Sequence, residues 1–218
     1  MQRLAGSSDR DGRCPRHWGV DLAAPGGRGR QGHEADALAI DVSVHADIAN
    51  MVESTVTRWG QLDILVNNAF DVLTAGMGDA VEVPEDAWDH GIAVLVKSMF
   101  LSAKYAIPEM RKAGGGSIVN MSSVHGVLQA PGVLVYETGK AAAIGLTRQM
   151  ATEYGPDNIR VNAILPGHMV TDRLQEAMWD DNPSGLRFFA DQYPLRKVGR
   201  AVDIANAAVF CVQTRLHS

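Results

Sequence analysis

Ser117-Ile118-Val119-Asn120-Met121-Ser122-Ser123, followed by Tyr136-Glu137-Thr138-Gly139-Lys140, is the stretch on which the reading of the fold turns. Ser117–Met121 is a short apolar run between Gly114-Gly115-Gly116 and a Ser pair, the pattern of a buried strand. From about Val135 to Tyr154 the periodicity is helical, and Tyr136 and Lys140 share one face of its first turns at i,i+4 spacing. Functional side chains in open α/β sheets collect at the carboxyl ends of strands. Ser122 and Ser123 stand at such an end. A phenol near pKa ~10 needs a neighbouring cation to act as a base near neutrality. Lys140 is placed to supply it, and Ser123 to hold a substrate oxygen. The Tyr–Lys spacing alone is equally that of a solvated helical pair; the setting raises its significance.

Outward from this stretch, strands and helices alternate. Ala37-Leu38-Ala39-Ile40 reads as a buried strand ending at Asp41, and 46–58 as an amphipathic helix with Ile48, Met51, Val52, Thr55 and Val56 on one stripe. Leu62–Val66 is a further strand. A long helix is expected from Glu85 to Arg111, with Pro84 at its start and a disturbance at Pro108. Arg160–Leu165 is a strand closed by Pro166-Gly167. A less regular helical stretch covers 172–190, and Val202–Phe210 is a last short helix. This order predicts an α/β fold, a doubly wound parallel sheet of the Rossmann kind covered on both faces, incomplete at its first and last strands. The chain divides into an atypical Gly/Arg-rich segment over 1–36, a core over 37–210 and an atypical tail over 211–218.

Composition narrows the function. The chain has 218 residues and a net charge of −5, which argues against a general nucleic-acid binder. No run approaches the ~20 apolar residues of a membrane span. The N-terminus lacks the apolar core of a secretory signal. Two cysteines, Cys14 and Cys211, exclude a disulfide framework and make a cytoplasmic location the default. The histidines show no metal-ligand spacing. Gly27-Arg28-Gly29-Arg30-Gln31-Gly32 matches G-x-G-x-x-G literally, but no strand leads into it and no helix fits before residue 37. It is a decoy.

Asn67-Asn68-Ala69, Ser122-Ser123, Tyr136-x-x-x-Lys140 and Pro166-Gly167 occur in the order of the short-chain dehydrogenase/reductases, and Asp41-Val42 and Arg160-Val161-Asn162-Ala163 also match. The chain resembles that family over about 37–210. The resemblance implies an NAD(P)-dependent oxidoreductase interconverting a secondary alcohol and a ketone, on a sugar or a sugar-derived substrate. Tyr136 corresponds to the general acid/base, Lys140 to the residue that lowers its pKa and holds the nicotinamide ribose, and Ser123 to the partner of the reacting oxygen. Asp41 and Val42 match positions beside the adenine, and Asn67 and Ala69 the turn over the cofactor. Pro166, Gly167, Met169 and Thr171 match the loop flanking the carboxamide. NAD and NADP are not distinguished, because the deciding position falls near Asp21.

The chain departs from the family pattern in four places. The Gly-rich phosphate loop is absent, Leu95 stands where a relay Asn is expected, Phe70 replaces the Gly after Asn-Asn-Ala, and the last strand and tail are missing. The odd ends read as altered reading frames. A second reading follows, a degenerate member that folds and associates as a scaffold without binding a dinucleotide. His125 and His168 read as pocket-lining or as exposed loop histidines. Trp179, Phe188 and Phe189 read as an aromatic lid or as plain packing, and Met99, Phe100 and Tyr105 as core or subunit contact. Ala141, Ala142, Ala143 and Gly145 mark a helix that lets a partner approach closely. The expected assembly is a C2 homodimer through the two long helices, rather than a tetramer.

Overall fold

The computed structural model describes residues 18–19, 36–70, 77–170 and 179–213. Cys14, Asp21, the Gly27–Gly32 motif and Thr171 lie outside the described residues. In chain order the elements are β1 (Trp18–Gly19), β2 (Ala39–Ile40), α1 (His45–Trp59), β3 (Ile64–Asn67) and α2 (Glu85–Ile92). A wide π-type turn over Ala93–Lys97 joins α2 to α3 (Ser98–Lys112), followed by β4 (Gly116–Met121) and α4 (Leu134–Tyr154). The chain continues with β5 (Ile159–Ile164), β6 (Met169–Val170), α5 (Pro183–Asp191), β7 (Gly199–Arg200) and α6 (Ala201–Val212).

The heart of the molecule is the parallel sheet β3-β4-β5, with Asn67 opposite Asn120 and Asn120 opposite Ala163. Side chains alternate across it as a strand period of two requires. Leu65, Ile118 and Val161 face a core built with Met51 and Val52 of α1, Ala106 and Met110 of α3, and Met150 of α4. Ile64, Val119 and Met121 face the other way, onto Val212, with Ile204 and Cys211 of α6 beside it. Helices therefore cover both faces, the doubly wound arrangement expected from the sequence.

Three elements differ from that expectation. Only Ala39–Ile40 of the stretch 37–40 pairs as strand, and it pairs antiparallel with Trp18–Gly19 rather than joining the parallel sheet. Pro108 does not disturb α3, which continues to Lys112. The irregularity falls at Ala93–Lys97 instead, where Leu95 is pressed against α4: a Cβ placed on Gly139 would lie 2.7 Å from Leu95 Cδ1. Finally, α6 runs past Phe210, and Val212 is buried while the Cys211 carbonyl accepts Ser117 Oγ at 3.2 Å and Arg160 Nη1 at 2.5 Å.

Glu85–Lys112 is the one described helix long and apolar enough to cross a membrane, but 56% of its apolar window is buried within the fold. It is a core helix.

Candidate functional site

Period-two alternation turns Asn67 and Asn120 toward α4, where Asn67 Nδ2 donates to Asn120 Oδ1 at 2.8 Å and Asn120 Nδ2 to Thr147 Oγ1 at 2.9 Å. Thr147 donates in turn to the Ala143 carbonyl at 2.7 Å. This buried chain of bonds is paired throughout and locks β3, β4 and α4 together. Where β4 ends, a second set of bonds takes over. Ser122 Oγ donates to the Lys140 carbonyl at 2.7 Å, and Lys140 Nζ donates back to the Met121 carbonyl at 2.8 Å. Strand exit and helix are thus clasped in both directions. Gly126 tightens the contact, since a Cβ there would meet the Lys140 carbonyl oxygen at 2.8 Å.

The clasp brings Ser123, Tyr136 and Lys140 together at the carboxyl edge of the sheet. The Ser123 side chain hydrogen-bonds the Tyr136 phenol, and Ser123 Oγ accepts the His125 backbone N–H at 3.2 Å. Lys140 is 4% exposed, with its Nζ 5.4 Å from the Phe70 ring centroid and 5.7 Å from that of Tyr136. Burial lowers the Lys140 ammonium to about 8. Tyr136 is raised, chiefly by burial; the Ser123 hydrogen bond opposes this and the Glu137 carboxylate adds to it. The sequence reading expected Lys140 to lower the phenol. Here burial of the phenol outweighs the other influences, and Tyr136 is raised.

The other positions singled out in the sequence fall into two groups. Pro166 is tied to the Ser123 region, its carbonyl accepting the Val124 N–H at 3.0 Å. Gly167 admits the Tyr193 hydroxyl, which a Cβ would meet at 2.7 Å, and Met169 pairs with Gly199. Ala69 and Phe70 follow β3, and the Phe70 ring lies 5.2 Å from that of Tyr136. Asp41 and Val42 stand apart, at the end of β2. The bonds of Asp41 are local: its Oδ1 accepts Ser43 N at 2.8 Å and Ser43 Oγ at 2.7 Å. Val42 packs against the core.

One pair escaped the sequence reading. Glu137, 8% exposed, accepts from the Ala130 N–H and stands 2.9 Å from His125 Nδ1, fixing the loop beside Tyr136. A carboxylate on the buried side of a helix was the available signal, inside the motif already quoted. Leu95, at the expected relay-Asn position, is 1% exposed and purely apolar.

The donor set fits the nicotinamide-ribose end of a dinucleotide. Lys140 has three N–H donors, of which Met121 takes one, and its head is held at the same edge as Tyr136 and Ser123. Among the described residues no group of three His, Cys, Asp or Glu side chains is arranged for a metal.

Comparison with known proteins agrees with this geometry. A family profile described as enoyl-(acyl carrier protein) reductase matches residues 28–216. An oxidoreductase of Thermotoga maritima is 40% identical over 177 residues, covering 80% of this chain and 69% of that protein. The structure of ElxO with NADP bound superposes with a TM-score of 0.74 at 29% identity, covering 81% of this chain and 70% of that one. NAD⁺-bound xylitol dehydrogenase superposes with a TM-score of 0.72 at 27% identity, covering 81% and 72%. The fold, the strand-edge residues and these matches define an α/β oxidoreductase. The chain belongs to the short-chain dehydrogenase/reductase family.

Proposed function

We propose that this chain interconverts a secondary alcohol and a ketone with NAD or NADP, on a sugar or sugar-derived substrate. The observation that carries the reading is the convergence of Ser123, Tyr136 and Lys140 on one strand edge, held by the reciprocal bonds of Ser122 and Lys140. The NADP of ElxO and the NAD⁺ of xylitol dehydrogenase support a nicotinamide dinucleotide without choosing between the two. The name of the second supports a polyol-like substrate.

In this reading the dinucleotide, when bound, supplies or receives the hydride. Ser123 donates to the substrate oxygen. Tyr136 is the general acid in ketone reduction, a role its raised pKa suits, since it is protonated at neutral pH. Lys140 spends its remaining N–H donors on ribose hydroxyls and places positive charge beside the phenol. The family resemblance assigns Asp41, Val42, Asn67, Ala69, Pro166, Gly167, Met169 and Thr171 to the rest of the cofactor. Titration of NADH or NADPH, followed by nicotinamide fluorescence, tests this: a saturable change is expected. Its absence with both would return the chain to the scaffold reading.

The same proposal includes a C2 homodimer through the helix Glu85–Lys112 and α4. Phe100 is 49% exposed, and Ala141 and Gly145 are exposed on α4, so a smooth face is left uncovered. Light scattering at micromolar protein is expected to give twice the chain mass; a clean monomer would remove the helical contact.

A further inference from the structure

The turn after β5 carries a second polar site with no assigned purpose. His168 Nε2 and Trp179 Nε1 are both buried, and among the described residues neither has a hydrogen-bond partner. Trp179 is 4% exposed. An unpaired buried donor or acceptor costs about 1–3 kcal/mol, so two in contact call for an explanation. They do belong together. The His168 ring lies flat on Phe189, with centroids 4.3 Å apart and planes at 7°, and Trp179 stands edge-on to both at 5.4 and 5.5 Å.

The arrangement is held from behind. The His168 N–H donates to Tyr193 Oη at 2.7 Å, and its carbonyl accepts the Gly199 N–H at 3.0 Å. Both backbone groups of His168 are thus spent on the scaffold, and the stack with Phe189 orients the ring. Its polar edge is left unpaired. This is how a binding group is preorganised: orientation fixed, one valence kept open. His168 also lies two residues beyond Pro166, whose carbonyl holds the residue after Ser123.

An indole N–H is a donor only, while a neutral imidazole nitrogen accepts or donates with the tautomer. A hydroxyl meets both, accepting from Trp179 and donating to His168. An anion is the wrong guest, because burial lowers the His168 pKa and keeps the ring neutral. The described walls are Phe189 and the indole face, and neither offers a charge to a desolvated carboxylate. Resting on the alcohol–ketone reading above, we infer that His168 Nε2 and Trp179 Nε1 bind a hydroxyl of a polyhydroxylated substrate at a carbon away from the one that reacts.

Trp179→Phe keeps a ring and deletes the N–H, and His168→Phe keeps the stack and deletes the nitrogen. With xylitol as probe, each is expected to raise KM about tenfold to a hundredfold with kcat little changed. With cyclopentanol, which has a single hydroxyl, kcat/KM is expected to stay within about twofold. Equal losses on both alcohols would mean that the rings only pack, and the inference would fall. Unchanged xylitol kinetics would mean that water alone pairs the two nitrogens, with the same result. Calorimetric titration of xylitol into the protein, without turnover, separates this site from the proposed reaction. Binding by the wild type that is lost in either variant, in a protein that oxidises nothing, keeps the site and removes the reaction. No binding by the wild type overturns the site. Circular dichroism melts check folding, and the two variants serve as each other's control.

Discussion

Lys140 and His168 sit on two sides of the same strand edge and are treated in opposite ways. Around Lys140 the protein closes its own polar accounts: Ser122 to the Lys140 carbonyl, Lys140 to Met121, and Glu137 to His125 and Ala130. Around His168 the backbone is tied down, yet two side-chain nitrogens stay unpaired in a cluster of rings. The first region is complete as folded and puts its reactive groups on a rigid frame. The second leaves two buried nitrogens without a partner among the described residues. On the proposed function, chemistry resides where the protein satisfies itself, and selectivity where it does not.

The largest expected effect breaks the first region at its reacting oxygen. Tyr136→Phe removes a hydroxyl without touching the clasp, and kcat is expected to fall by about 10²- to 10⁴-fold with the melting temperature held. Full activity in that variant would take the phenol out of the reaction.

Next in size is the pH dependence of ketone reduction. Lys140 has its pKa lowered to about 8, whereas Tyr136 is raised, so both are protonated below that point. Raising the pH strips Lys140 first. The reduction rate is therefore expected to hold up to about pH 8 and then decline, with the decline abolished in Lys140→Ala, whose rate is low throughout. A profile that is flat through pH 9 in the wild type would show that the charge on Lys140 is not used.

The smallest effect concerns fit rather than chemistry. Gly126→Ala inserts a methyl group against the Lys140 carbonyl and Ile144 Cδ1, both 2.8 Å from the added carbon. Overpacking of this kind costs about 1–3 kcal/mol, read as a lower denaturant midpoint. A neutral result would mean that the turn over Val124–Gly126 yields easily, and that the clasp is looser than its geometry implies.

Much of this frame was legible in the residues. The stripe Ile48, Met51, Val52 of α1 is buried as its spacing requires, and β3, β4 and β5 begin and end within two residues of their apolar runs. The Ser–Tyr–Lys group was legible because a helix fixes i,i+4 and a strand fixes its exit. What could not be read depends on tertiary contact. Nothing local to Ala93–Lys97 signals a wide turn; it accompanies the packing of Leu95 against Gly139, 44 residues away in α4. The direction of the Tyr136 shift was also out of reach, because desolvation is a property of the packed site rather than of a Tyr–Lys spacing. His168, Trp179 and Phe189 were named only singly. Their mutual stacking needs the 166–170 turn and α5 to meet.

The stack at His168 is tethered unequally. His168 is fixed by two backbone hydrogen bonds, whereas Phe189 rides on α5, a helix with no buried residue of its own. Tyr193, just past the end of α5 and bonded back to the Ala190 carbonyl, accepts the His168 N–H at its hydroxyl, so the helix and the turn are tied by more than ring contact. A change at the end of α5 is therefore transmitted to the His168 backbone through that hydroxyl.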